Sequence, residues 1–436
     1  MAVTGRTALL AALGALVVGL VLPSWAGIGA VTGALFVAVL ADLLLAAPVR
    51  TLGIGRAGDT AVRLGEPAAV ELTVTNRSGR PLRATVRDAW PPSAWRPGTA
   101  LAASRHSLVV PAGERRRATT LLTPTRRGDH HAHKVTIRSL GPLGLAGRQG
   151  SHLAPWTVRA LPPFNSRKHL PSRLARLREL DGRTSVLTRG QGTEFDSLRE
   201  YLPGDDVRSI DWRASARRNT VAVRTWRPER DRHILIALDT GRTSAGRVGD
   251  APRLDASLDA ALLLTALATK AGDRVDLLAQ DVRRRASVAG RSPSEILPAF
   301  THAMAVLEPA LFETDMRSLV STALRMAPHR SLIVILTGLD AAPVEDGLLP
   351  LLPLLTKRHE VVLASVADPY LDELAAGRGT VDAVYAAAAA EQTRADRRHT
   401  AERLTRLGAT VLDAPPTALA PALADAYLAL KAAGRL

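Results

Sequence analysis

Three carboxylates, Asp205, Asp206 and Asp211, fall close together in the run from Gly190 to Arg217, GQGTEFDSLREYLPGDDVRSIDWRASAR. Acids at this spacing could hold a divalent cation and activate water, which is the chemistry of a metal-dependent hydrolase. They could equally cap a helix beginning near Val207 and pair with Arg208, Arg213 and Arg217. The capping role carries more weight, because Val207, Ile210 and Ala214 would then share one helical face. Asn219 fits the left-handed position that ends such a helix, and Thr220 to Trp226 alternates as a strand. Glu194, Tyr201, Gly204, Trp212, Ser215 and Arg217 complete the polar run. The run is too charged for a core and too rich in Tyr201, Ile210 and Trp212 for a linker. It reads as a rigid surface that docks another protein.

A second set of oxygen donors follows the apolar run His233 to Leu238, in Asp239-Thr240-Gly241-Arg242-Thr243-Ser244. A third candidate is His130, His131 and His133. Strand alternation would put His131 and His133 on one face, but no further histidine stands at a ligand spacing, so a solvated strand start is expected. Cysteine is absent, which excludes a disulfide scaffold, a thiolate zinc site and a cysteine nucleophile. The sequence has no G-x-S-x-G elbow, no H-E-x-x-H and no G-x-x-x-x-G-K phosphate loop.

From Glu194 to Arg217 the run resembles, almost without a gap, the signature of the bacterial domain of unknown function 58 proteins, roughly E-F-x-x-L-R-x-Y-x-P-G-D-D-x-R-x-I-D-W-x-x-S-A-R. The resemblance implies a partner class, the MoxR-type AAA+ ATPases, with transglutaminase-like membrane proteins as frequent companions. Leu64-Gly65-Glu66 and Thr75 to Gly79 resemble that family's immunoglobulin-like insertion. Gly141-Pro142-Leu143-Gly144-Leu145 resembles its D-P-x-G-L turn, with Gly141 where an aspartate is usual. Leu238 to Ser244 is similar to the D-x-S-x-S loop with which von Willebrand factor A domains hold magnesium. Asp239 matches, Gly241 replaces the first serine and Thr243 stands for the second. Thr314 matches a later threonine, and Leu336-Thr337-Gly338 sits where T-D-G is usual, leaving Asp340 as a substitute. The resemblance therefore implies a degenerate Mg2+ site of Asp239, Thr243, Thr314 and Asp340, short of one hydroxyl and one carboxylate.

The elements that must position these groups divide the 436 residues. Short alternating stretches between about Arg56 and Ala160, such as Val70 to Thr75, Leu82 to Val86 and Ala118 to Leu122, predict a small β-sandwich. Residues 161–232 read as a solvated basic connector followed by the signature. From His233 to Leu436, strands and helices alternate as in a doubly wound α/β domain, with ligands expected at the carboxyl ends of its strands. Residues 1–50 carry only Arg6, Asp42 and Arg50 as charges. The apolar runs Thr7 to Pro23 and Ala26 to Ala47 read as two transmembrane helices. Arg6, Arg50 and Arg56 put both ends of that hairpin, and the bulk of the chain, in the cytoplasm. Asp42 lies near the exit of the second helix and is expected to reach the headgroups.

The net charge of +16 comes nearly all from arginine. The connector is nearly without aromatic residues on which single-stranded nucleic acid would stack, so membrane lipid is the closer anionic neighbour. Together these features point to a membrane-anchored, non-enzymatic interaction protein acting with a MoxR-type ATPase in the assembly or maturation of other proteins. The alternatives are a metal-dependent hydrolase using the signature acids, and a binder of anionic lipid or nucleic acid.

Overall fold

The computed structural model describes residues 2–187, 194–202, 205–218, 220–227 and 232–436. It is a mixed α/β protein of two compact units, Met1–Pro163 and Phe164–Leu436.

The first unit opens with two apolar helices, α1 (Gly5–Leu20) and α2 (Trp25–Leu45). The Ser24 hydroxyl caps α2 by accepting from the Gly27 amide at 3.0 Å. Gly14 lets the two helices approach, since a Cβ there would lie 2.6 Å from Val31. The helical segment Trp25–Thr51 is long and apolar enough to cross a membrane, and Gly5–Leu20 is shorter. Leu13, Leu16, Phe36 and Val37 are exposed along them.

Strands Leu52–Gly58, Ala68–Asn76 and Arg115–Leu122 form one sheet of this unit. Arg105–Val110, Leu82–Asp88, Val135–Leu140 and Ala146–His152 form another, with Ala2–Val3 at its edge. A third, smaller sheet joins Ala61–Arg63, Thr157–Leu161 and Gly128–His131. Period-two burial drives the pairing: Ala68, Val70, Leu72 and Val74 point inward in turn and are fully buried. Leu72, Leu82, Val86, Val110 and Ile137, drawn from the first two sheets, share one core. Apart from Ala2–Val3, the strands begin at Leu52, ahead of the expected Arg56.

Two expectations in this unit are corrected. Asp42 does not reach outward. It is fully buried, and its carboxylate accepts from the amides of Leu143 (2.8 Å), Leu145 (2.6 Å) and Ala146 (2.8 Å). A Cβ on Gly141 would strike that carboxylate, so glycine is the residue that fits here. The same loop receives the hydroxyls of Thr4, on Gly144 O at 2.7 Å, and Thr7, on Leu145 O at 2.5 Å. The start of α1 and the end of α2 therefore meet at one socket. The histidines do not form a solvated cluster either. His130 is buried, with Ser93 Oγ at 3.3 Å and Arg126 O at 2.9 Å on its two ring nitrogens. His131 faces outward to Thr157, and His133 lies beyond the strand. Among the described residues no three His, Cys, Asp or Glu side chains gather as a metal site.

The second unit is built on a six-stranded sheet of β1 (His233–Asp239), β2 (Arg274–Gln280), β3 (Arg284–Val288), β4 (Leu332–Leu336), β5 (Glu360–Val366) and β6 (Thr410–Ala414). The spatial order is β3-β2-β1-β4-β5-β6. Only the β2–β3 pair is antiparallel. The edge strand β3, RRASV, has too little apolar alternation to be read from sequence. Ile234, Ile236 and Leu238 of β1 enter one core and Leu235 and Ala237 the other, so both faces of the sheet are covered. The helical segments Pro343–Leu348 and Leu352–Thr356 are separated around Pro350, and Pro353 sits in the first turn of the second, where a missing amide costs nothing.

The basic connector also differs from expectation. Residues Leu170–Leu187 form helix α3. Leu177 is 3% exposed, and Phe164, Leu170, Leu174 and Leu180 pack against the same core as β1. Arg173 pairs with Asp425 at 2.9 Å. The leucine spacing is that of an amphipathic helix, which the arginines between them obscure.

Candidate functional site

The signature folds as two antiparallel strands, Glu194–Glu200 and Ala222–Arg227, with helix α4 (Trp212–Arg218) between them. The helix starts five residues later than Val207, and Asp211 caps it. Asp211 Oδ1 accepts from the amides of Arg213 (3.1 Å) and Ala214 (3.0 Å), while Oδ2 pairs with Arg224 at 2.8 Å. The Ala214 amide first, and then the Arg224 guanidinium, hold the Asp211 carboxyl below its ordinary range. Asp206 instead closes the turn Val207–Ser209 by accepting from the Arg208 amide at 3.0 Å. Asp205 accepts from Arg199 at 2.5 Å and from the Leu202 amide at 2.9 Å. Ser215 donates to Asp211 O at 2.7 Å and accepts from the Ala222 amide at 2.8 Å, tying α4 to the second strand.

The acids and Ser215 thus shape the segment. A different set of side chains is presented outward: Trp212 is 67% exposed, Val207 61% and Leu202 60%, with the exposed Arg208, Arg213 and Arg217 around them in sequence. The expected buried face of Val207, Ile210 and Ala214 is corrected, because Val207 points to solvent and Ile210 bridges to Val223. Tyr201 is half-buried, its amide on Val221 O at 2.8 Å. Glu194 opens the first strand, and Gly204 and Asn219 lie outside the described residues.

At the other site, β1 and β4 flank the point where the strand order reverses, and their carboxyl ends bring Asp239 and Thr337 together. Asp239 is 1% exposed. Its Oδ1 accepts from the Gly241 amide at 2.8 Å and from the Thr314 hydroxyl. Its Oδ2 accepts from the hydroxyls of Thr243 (2.8 Å) and Thr337 (2.6 Å). Four donors fill the roughly four acceptor positions of a carboxylate. A Cβ at Gly241 would collide with the Thr314 hydroxyl and lie 2.9 Å from its amide, so a serine does not fit there. Asp340 turns to Arg253, at 3.2 Å, with Arg397 at 3.9 Å. Thr243 and Thr314 therefore gather at Asp239, and Asp340 joins two arginines that the sequence reading did not single out. The residues present do not fit a magnesium ion, which needs several free oxygens in near-octahedral array.

Residues 197–408 match the family model described as "Protein of unknown function DUF58". That region of the chain is a DUF58 region. The DUF58 match takes in most of the signature and the sheet through β5, and so both sites above. Over 201 residues the chain is 26% identical to "Uncharacterized protein YeaD" of Bacillus subtilis (strain 168), covering 46% of this chain and 50% of that protein. It is likewise 26% identical over 182 residues to "Uncharacterized protein Mb1516" of Mycobacterium bovis (strain ATCC BAA-935 / AF2122/97), covering 41% and 56%. The chain thus spans about half the length of the curated relatives it matches. Among solved structures, proximal thread matrix protein 1 from the mussel byssus aligns over 47% of each chain, at 12% identity and a TM-score of 0.30.

Proposed function

We propose that this DUF58 protein is a membrane-anchored docking protein whose signature segment binds a MoxR-type AAA+ ATPase. The observation that carries the reading is Trp212, two-thirds exposed on a segment whose carboxylates and serine are already engaged in holding its shape. An exposed tryptophan with arginines nearby is the composition of a protein-binding hot spot. The partner class itself comes from the family resemblance, as does a transglutaminase-like companion, and so does the assignment of residues 233–436 as a von Willebrand factor A-like domain. The strand order and the strand-end position of Asp239 support that assignment.

Anchoring by both α1 and α2, with their outer ends in the cytoplasm, is part of the proposal. It is supported by the socket at residues 141–146, where the start of α1 and the end of α2 meet. The 21 residues of α2 span ~32 Å at ~1.5 Å each, enough for a hydrocarbon core of ~30 Å. Hydrolysis by the signature acids is the weaker reading, because Asp205, Asp206 and Asp211 each accept from backbone amides of their own segment. The test is co-purification of the ATPase with the detergent-solubilised protein. Loss of the ATPase on Trp212→Ala, with melting unchanged, supports docking. Metal-dependent turnover abolished by Asp211→Ala would replace it with the hydrolase.

A further inference from the structure

The structure assigns to Arg253 the part of a resident cation at the strand-end site. Three groups converge on Gly338. A Cβ built there would lie 2.8 Å from Asp340 Oδ2, 3.1 Å from Thr243 Cβ and 3.7 Å from Arg253 Nη1. The guanidinium thus approaches the same glycine as Thr243, whose hydroxyl binds Asp239, and it pairs with Asp340 at 3.2 Å.

Several features keep Arg253 in place. Its amide donates to Gly246 O at 2.8 Å, and its side chain packs along Gly246, where a Cβ would be 3.4 Å from Cζ. It stands at the start of helix α5 (Arg253–Lys270), whose Leu254 and Leu258 are fully buried in the core. On the far side of Asp340, Arg397 is fixed by Asp413 at 2.6 Å and Ser365 at 2.9 Å. Two guanidiniums thus flank Asp340, the substitute for the missing aspartate, and Thr314 fills the space of the missing serine.

A divalent ion held by Asp239 and Asp340 would have to displace the Arg253 guanidinium from Asp340 or be repelled by it. Arg253 supplies permanently the charge that a metal would supply reversibly. The strand-end site is thereby held without a divalent ion, and its stability is insensitive to chelators.

The full-length protein in detergent tests this with Mg2+ and Mn2+ as probes. Wild-type protein should show no Mg2+-dependent change in melting temperature and no bound Mn2+ by electron paramagnetic resonance. Arg253→Ala leaves Asp340 only the 3.9 Å contact with Arg397 and should acquire a metal-dependent rise in melting temperature, which Asp239→Ala in the same background removes. Arg253→Lys keeps the charge and should stay metal-insensitive. Tight Mn2+ binding by the wild type, lost in Asp239→Ala, would overturn the assignment even if Arg253→Ala fails to fold. So would an Arg253→Ala variant that folds and remains indifferent to metal.

Discussion

At the scale of single residues, buried polar groups decide what can change. Asp239, 1% exposed, satisfies four donors. Asp239→Ala orphans them, and with ~1–3 kcal/mol for each unsatisfied buried group, partly relieved by relaxation, it should cost about 2–4 kcal/mol. Urea unfolding should give the same loss with or without Mg2+. His359 presents the opposite case. It is 4% exposed, and neither ring nitrogen has a partner among the described residues. Burial first, then the charges of Arg358 and His233, push its pKa below the ordinary value of 6.5. The unfolded chain thus binds the proton more readily than the folded one. Stability is present above the unfolded pKa and is lost as pH falls through the folded pKa. His359→Leu should melt at or above the wild-type temperature near neutral pH, since it removes two unpaired polar atoms. Its melting temperature should also fall less steeply than that of the wild type below about pH 6.5.

At the scale of elements, the socket for Asp42 couples α2 to the loop Gly141–Ala146. Asp42→Ala should leave three amides without an acceptor, and hydrogen exchange at Leu143, Leu145 and Ala146 should accelerate about tenfold or more. Gly141→Ala should produce the same change, because its methyl group would displace the carboxylate. Protection unchanged in both variants would separate the helix from the loop. The sequence made the loop visible only as an oddity, a glycine where the family pattern has an aspartate. The partner that explains it stands about a hundred residues earlier, beyond any local pattern. Elsewhere alternation was enough: Val70 to Thr75, Leu82 to Val86 and Ala118 to Leu122 all lie within strands, Ala68–Asn76, Leu82–Asp88 and Arg115–Leu122. The strand Glu194–Glu200 was hidden because its residues, EFDSLRE, lack the apolar face that marks a half-buried strand. Arg253 and Arg397 were passed over for a different reason. Arginines in helices are usually solvated, and only the fold shows that these two turn toward Asp340.

At the scale of the whole molecule, the two apolar helices and the exposed tryptophan set the account. If α1 and α2 both cross the membrane, a cytoplasmic-type reporter fused after Leu436 should be active and an exported-type reporter silent. The reverse pattern would leave one span, with the chain on the other side. The central claim is that the signature presents Trp212 and its neighbouring arginines to a partner. The most direct measurement pairs thermal melting of the full-length protein with co-purification of the MoxR-type ATPase from membranes, for wild type, Trp212→Ala and Arg208→Glu. Both side chains are exposed, so each change should leave melting nearly unaffected, with exposed ion pairs worth ~0–1 kcal/mol. Each should reduce the recovered ATPase at least about tenfold, the effect of losing a hot-spot residue or reversing an interfacial charge. Variants that melt normally and recover the ATPase in full would contradict the account, and variants that unfold would show the signature to be structural.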